Sequence, residues 1–270
     1  MTQKHPTLGS HPFSLRLRAG RRRGFSLVKI MPLYRIADLT VSLTPRYPRL
    51  LHFCRDYLAA DQFAVSDLCI LPDDEDFVEE RRISRRNASR DEFLEIPLTY
   101  RKLCTALLSH GAFFLHAAVI EKDGVAFAFS APSGTGKSTH VKLWREKYGD
   151  SVTVINGDKP IVRKKDGRFH AYGTPWCGKE GWNKNSSAPI GAICFLERGE
   201  ENRIERLSPS EALRLLFSQL LIPKEPDKVA TLLSLTDSLL SEVPAFRLHC
   251  TISTDAAMLA YTTMKGAIKE

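Results

Sequence analysis

The most chemically specific spacing in the chain is Ala131-Pro132-Ser133-Gly134-Thr135-Gly136-Lys137-Ser138-Thr139. It fits the phosphate-binding pattern G-x-x-x-x-G-K-[ST], with Ala131 standing where the first glycine would. Such a loop turns backbone N–H groups onto phosphate oxygens at a helix N-terminus, and Gly134 and Gly136 can take the dihedrals this needs. Lys137 would then place a point charge on the outer phosphates, and the Ser138 hydroxyl would reach Mg²⁺. Ser133, Thr135 and Thr139 complete the expected nucleotide-contacting run, so the ligands indicated are ATP and Mg²⁺. The alternative is a chance Gly-Ser turn ahead of a helix.

A phosphate loop also needs an acid to hold the metal. Asp158 follows the β-branched run 152–155 in Asn156-Gly157-Asp158-Lys159-Pro160, where a carboxylate would emerge at a strand end. The competing reading is an Asn-Gly turn with an incidental Asp. His116 falls on a strand-like stretch upstream of the loop, as a core residue or as a partner for the acid. Lys179 is a further candidate for contacting phosphate or an acidic substrate. Arg198, after the apolar run 190–196, is another, and both are equally readable as solvated surface cations.

These residues need a framework. Residues 113–120 read as a strand, Lys122-Asp123-Gly124 as a tight turn, and Val125, Phe127 and Phe129 alternate with Ala126, Ala128 and Ser130. A hairpin therefore feeds the loop, and Val141, Trp144 and Tyr148 recur at helical spacing after it. A second hairpin is expected at Lys165-Asp166-Gly167, and residues 190–196 read as a central strand. Ser208-Pro209-Ser210-Glu211 is a capping box opening a helix with Leu213, Leu216, Phe217 and Leu220 on its apolar side. A helix over 227–241, a strand over 246–250 and a last helix from 255 follow. In the front third, residues 33–43 read as β-rich, 50–58 as a short helix, 63–71 as a strand and 98–108 as a helix, while 72–95 form a charged, solvated helix or loop. The expected architecture is α/β: a basic extension over 1–30, a small α+β lobe over 31–96, and a mixed-sheet nucleotide-binding domain over 97–270.

His116, the hairpin, Ser133-Gly134-Thr135-Gly136-Lys137-Ser138 and Asp158 together resemble the catalytic domain of HPr kinase/phosphorylase, convincingly over about 112–200. The resemblance implies a P-loop kinase fold related to the nucleotide-binding half of phosphoenolpyruvate carboxykinase. It also implies ATP- and Mg²⁺-dependent transfer to a serine of a small protein or peptide, and assembly into a homo-oligomer. In that family the upstream His lies near the catalytic carboxylate, which implies a catalytic set of Asp158, His116 and Lys137, with Ser138 and Asp158 on the metal. Two departures stand out. The family's adjacent acidic pair is here Gly157-Asp158, and its signature for the reverse phosphorolysis is not evident. In its place Gly173-Thr174-Pro175-Trp176-Cys177-Gly178-Lys179 resembles a segment of small HPr-kinase-like proteins, with Trp176 read as a packing residue.

Composition bounds the remaining choices. The 270 residues are 43% hydrophobic and 26% charged, the balance of a globular chain. The longest apolar runs fall far short of the ~20 residues that span a bilayer, so no membrane partner is expected. Seven of the eight excess positive charges lie in residues 1–30, which contain no Asp or Glu. The rest of the chain is nearly neutral, so nucleic acid is not an expected partner. The basic extension reads three ways: an arm on a polyanion, a targeting peptide, or unstructured residues ahead of a start at Met31, with the last preferred. Six scattered cysteines lacking zinc spacing read as buried thiols in a reducing, cytoplasmic setting. Two other function classes stay open: carboxykinase-like phosphoryl transfer, and a nucleotide-dependent binding factor without transfer.

Overall fold

A computed structural model describes residues 31–84 and 90–268. The basic extension, and with it the three readings of residues 1–30, lies outside the described residues. The described residues begin with the hairpin β1 (Leu33–Ile36) and β2 (Leu39–Leu43), turned at Ala37 and Asp38, both left-handed at φ 53° and 59°. β3 (Leu68–Ile70) adds to β2 in parallel. Sequence alone extends this strand back to residue 63, but Phe63 and Val65 are 94% and 91% exposed and have no face to bury. The short helix expected over 50–58 is α1 (Pro48–Phe53), started by a proline whose fixed φ suits a first turn, followed by a 3₁₀ turn over Arg55–Tyr57.

The charged stretch contains α2 (Asp74–Ile83), begun by a reciprocal capping box between Asp73 and Asp76. α3 (Asp91–Ala106) starts seven residues earlier than its apolar pattern suggests, with Pro97 inside it. An internal proline costs about 3 kcal/mol. Burial of Leu94, Leu98 and Leu103 outweighs this, at about 1.5–3 kcal/mol for each side chain. α3 also runs straight through residues 96 and 97, where the sequence places a domain boundary.

The larger body contains β4 (Ala112–Phe114), β5 (Ala117–Lys122), β6 (Val125–Ser130), α4 (Lys137–Tyr148), β7 (Thr153–Asn156), β8 (Ile161–Lys165) and β9 (Arg168–Tyr172). The long β10 (Ser187–Arg198), β11 (Arg203–Arg206), α5 (Pro209–Phe217), α6 (Pro226–Glu242), β12 (Ala245–Cys250) and α7 (Thr254–Gly266) complete it. Among the described residues nine of these strands form one mixed sheet in the order β4-β8-β9-β10-β6-β5-β7, with β12 on β10 and β11 on β12. The mixed α/β class expected from the sequence is the class observed.

Strand alternation explains why both faces are apolar. Ala117, Val119, Ala126, Ala128, Ile193 and Phe195 face α5 and α6, through Ala212, Leu216, Leu232 and Leu239. Their alternates Ala118, Ile120, Phe127, Phe129 and Cys194 face Val141 and Trp144 of α4 and Ala257, Ala260 and Met264 of α7. The front sheet shares a further core with Leu103, Phe114, Tyr172 and Trp176.

Residues 113–120 are two strands and not one. Between β4 and β5 the chain leaves the ladder: Leu115 N–H donates to Pro160 O and His116 N–H to Gln219 O, each at 3.0 Å. His116 thus sits at a break, outside any strand. Register then gathers the important residues at one end of the sheet. Ala117 pairs with Ser130 and Val119 with Asn156, both antiparallel, so the residue before β5 meets those following β6 and β7. Phe195 of β10 pairs in parallel with Ser130, which carries Arg198 on to lie beside the loop after β6.

Candidate active site

The loop between β6 and α4 is shaped by Gly134 and Gly136, at φ 82° and 131°. Gly136 is the N-cap of α4 and brings no capping side chain, so the first-turn amides are left for an outside acceptor. Ser133, Gly134 and Thr139 are exposed; Thr135, Gly136 and Ser138 are half-buried. Lys137 is buried and folds back so that Nζ donates to Ala131 O at 2.7 Å. Burial pushes its ammonium down to about 8 against the pull of Asp158. Behind the loop His140 Nε2 accepts from Trp144 Nε1–H at 3.0 Å, and burial holds this imidazole down at about 3, hence neutral.

Two glycine contacts and one asparagine place Asp158. The buried Asn156 accepts from both Asp158 N–H and Lys159 N–H through Oδ1, each at 2.8 Å, and donates through Nδ2 to Thr174 O at 3.0 Å. Residues 173–184 close over this turn: Gly157 N–H donates to Trp182 O and Lys159 N–H to Trp176 O. A Cβ at Gly157 would stand 3.0 Å from Cys177 O, so the segment over the turn packs closely on this position. A Cβ at Gly178 would meet Asp158 Cβ at 3.0 Å. Trp176 is buried among Phe53, Tyr100 and Phe114, with Nε1–H on Ile96 O at 3.2 Å, and is a packing residue as expected.

Asp158 Oδ1 lies 3.2 Å from His116 Nε2 and 3.6 Å from Lys159 Nζ. Burial alone would raise its pKa. The His116 hydrogen bond and the charges of Lys159, His116 and Lys137 outweigh burial and hold the carboxyl below its usual value. Lys159 is in turn lowered by burial, against the pull of Asp158. The other ring nitrogen of His116, Nδ1, is 2.9 Å from Gln219 Oε1, and Ser130 Oγ–H donates to His116 O at 2.8 Å. The structure therefore brings Lys137, Asp158 and His116 together, and adds Lys159 and Gln219, which the sequence reading did not single out. Lys159 sits directly beside the chosen acid; Gln219 carries no local signal.

Arg198 spends its donors on the loop itself: Nη2 donates to Gly134 O at 2.7 Å and Nε to Thr135 O at 3.3 Å. Carbonyls held this way turn the following N–H groups of the same peptide planes to the opposite side. Lys179 is exposed, one residue beyond the Gly178 that packs on Asp158. Among the described residues no three His, Cys, Asp or Glu side chains are grouped to hold a metal alone. Asp158 and Ser138 offer oxygen donors of the kind Mg²⁺ takes when phosphates and water supply the rest, so the donor chemistry fits that ion. Cys54, Cys104 and Cys194 are buried, Cys177 and Cys250 half-buried, but Cys69 on β3 is exposed, correcting the expectation of uniformly buried thiols. No described helix is long and apolar enough to cross a membrane.

The model of one protein family, described as SynChlorMet cassette protein ScmC, matches residues 83–255, well over half of the chain. The chain belongs to the ScmC family. The matched ScmC region includes the loop, Asp158, His116, Arg198 and Gln219. No curated protein matches the sequence. Among solved structures, the Hpr(Ser) kinase/phosphatase from Coxiella burnetii is similar at 10% identity and a TM-score of 0.32, over 57% of this chain and 95% of that one.

Proposed function

We propose that the chain is an ATP- and Mg²⁺-dependent phosphotransferase that moves the γ-phosphoryl group to a hydroxyl, a serine of a small protein or peptide, with residues 97–270 carrying the chemistry in a P-loop kinase domain. One observation carries the reading: an uncapped, glycine-shaped helix N-terminus and a lone carboxylate flanked by Lys137, Lys159 and His116 meet at the same end of the sheet. The loop amides and Lys137 would bind the triphosphate, which explains a buried lysine whose nearest hydrogen-bond partner is only a backbone carbonyl. Arg198 would keep the loop carbonyls turned away from the phosphates. Mg²⁺, held by Ser138 and Asp158, would neutralise phosphate charge.

In the transfer step the acceptor oxygen bonds to the γ-phosphorus as the bond from that phosphorus to the β–γ bridging oxygen breaks. The acceptor proton passes to Asp158, and ADP leaves with the bridging oxygen. Asp158 suits this role because its ionised form is favoured, and its close contacts with His116 and Lys159 both fall on Oδ1. The serine acceptor follows from the likeness of His116, the loop and Asp158 to HPr kinase/phosphorylase.

The full chain should be incubated with γ-labelled ATP, Mg²⁺ and a library of serine-containing peptides, with label followed by mass spectrometry. Magnesium-dependent phosphoserine supports the reading. Calorimetric ATP binding without label transfer or ADP formation would replace it with a nucleotide-dependent binding factor.

A further inference from the structure

Gln219, buried in the turn after α5, holds His116 by two separate contacts. Its backbone carbonyl accepts the His116 amide at 3.0 Å, and its side-chain Oε1 lies 2.9 Å from ring Nδ1. The amide's orientation is decided one residue earlier. Ser218 Oγ has a single hydrogen and lies 2.7 Å from Leu215 O, which can only accept it. Gln219 Nε2 lies 2.8 Å from the same Oγ and donates to it. Turning the amide over would set two acceptor oxygens, Gln219 Oε1 and Leu215 O, against one hydroxyl hydrogen. The arrangement that satisfies every group points Oε1 at His116, and an amide oxygen there requires a hydrogen on Nδ1.

We propose that Gln219 is a positioning residue: it keeps a hydrogen on Nδ1 of the His116 ring and so holds the Nε2 edge of that ring against Asp158 Oδ1. The use of that orientation in transfer rests on the phosphotransferase reading, in which Asp158 takes up the acceptor proton; the placement of the Nδ1 hydrogen does not. The Nδ1–H bond to Gln219 Oε1 resists rotation of the ring, so the Nε2 edge stays on Asp158 Oδ1.

Nitrogen NMR of the full chain with ¹⁵N-labelled histidine rings tests the tautomer without turnover. At pH 7 and without nucleotide, wild type should show His116 Nδ1 as a protonated nitrogen. Gln219→Met, similar in length but lacking the acceptor, should lose that Nδ1–H signature, with the hydrogen found on Nε2. Gln219→Glu restores an acceptor and should restore Nδ1–H. An unprotonated Nδ1 in wild type, or Nδ1–H persisting in Gln219→Met, overturns the proposal. If Gln219→Met does not fold, the wild-type and Gln219→Glu spectra still decide. In turnover with the peptide library, Gln219→Met should lower kcat about tenfold with the KM for ATP unchanged, the scale on which partners that orient a working imidazole act. A wild-type chain that shows Nδ1–H but transfers no phosphoryl group would overturn the function and leave the tautomer standing.

Discussion

His116 Nε2 and Asp158 Oδ1 meet at 3.2 Å although one precedes β5 and the other follows β7. The antiparallel register of those strands brings them together, with Ala117 N–H donating to Asp158 O at 3.1 Å beside the pair. Residues working as one unit are not additive. His116→Ala should therefore slow transfer less than Asp158→Asn, and the double variant should be little slower than Asp158→Asn alone. Full additivity of the two effects in single-turnover rates would separate His116 from the acid.

Lys137 gives a pH dependence with a definite sign. Its folded pKa is about 8 against 10.5 for an unperturbed lysine, so between those values the unfolded chain holds the extra proton. Stability of the nucleotide-free protein should rise with pH across that window, and the buried charge should be a penalty below it. Lys137→Met should raise the melting temperature at pH 7, by about 2–4 °C for each kcal/mol relieved, flatten the rise between pH 8 and 10, and abolish ATP binding. A variant that melts lower at pH 7 while still binding ATP would contradict both statements.

Arg198 ties two loop carbonyls with one guanidinium. Losing two hydrogen bonds of about 0.5–1.5 kcal/mol each should weaken ATP binding by Arg198→Ala about tenfold. Arg198→Lys should recover little of this, because one ammonium does not reproduce the planar fork. Calorimetry on the three proteins measures it; equal affinities would mean the loop holds its shape without the clamp.

Asn156 should matter to stability more than its place in a turn suggests. Asn156→Ala strips the acceptor from Asp158 N–H, while Lys159 N–H keeps Trp176 O and Thr174 O keeps Asn183 Nδ2. One unsatisfied amide costs about 1–3 kcal/mol, so the loss in urea unfolding should fall in that range. A loss under about 1 kcal/mol would show that water replaces the side chain.

Local pattern was legible where one element decides it. The strand-loop-helix around 131–139, the turn at 122–124 and the capping box at Ser208 depend on residues adjacent in the chain, and all three are present. The β1–β2 turn was hidden because Ala37 and Asp38 are not the Asn-Gly pair that usually takes left-handed dihedrals. The break at Leu115 and His116 was invisible because its backbone bonds go to Pro160 and Gln219, which only the folded chain brings near. Gln219 was missed for the same reason, and Arg198 was placed near the site without its carbonyl partners. Contacts made by tertiary register leave no periodic trace in the sequence.

Asp158 stands between Gly157 and Lys159 with no second acid beside it, so one carboxylate must serve both metal and acceptor. The decisive measurement pairs ATP–Mg²⁺ calorimetry with single-turnover transfer to a serine peptide from the library, on wild type and Asp158→Asn. Asp158→Asn should fold and keep much of its nucleotide affinity while transfer falls by at least ~10²-fold, the scale of losing a positioned general base together with a metal ligand. Transfer by Asp158→Asn at close to the wild-type rate would contradict this.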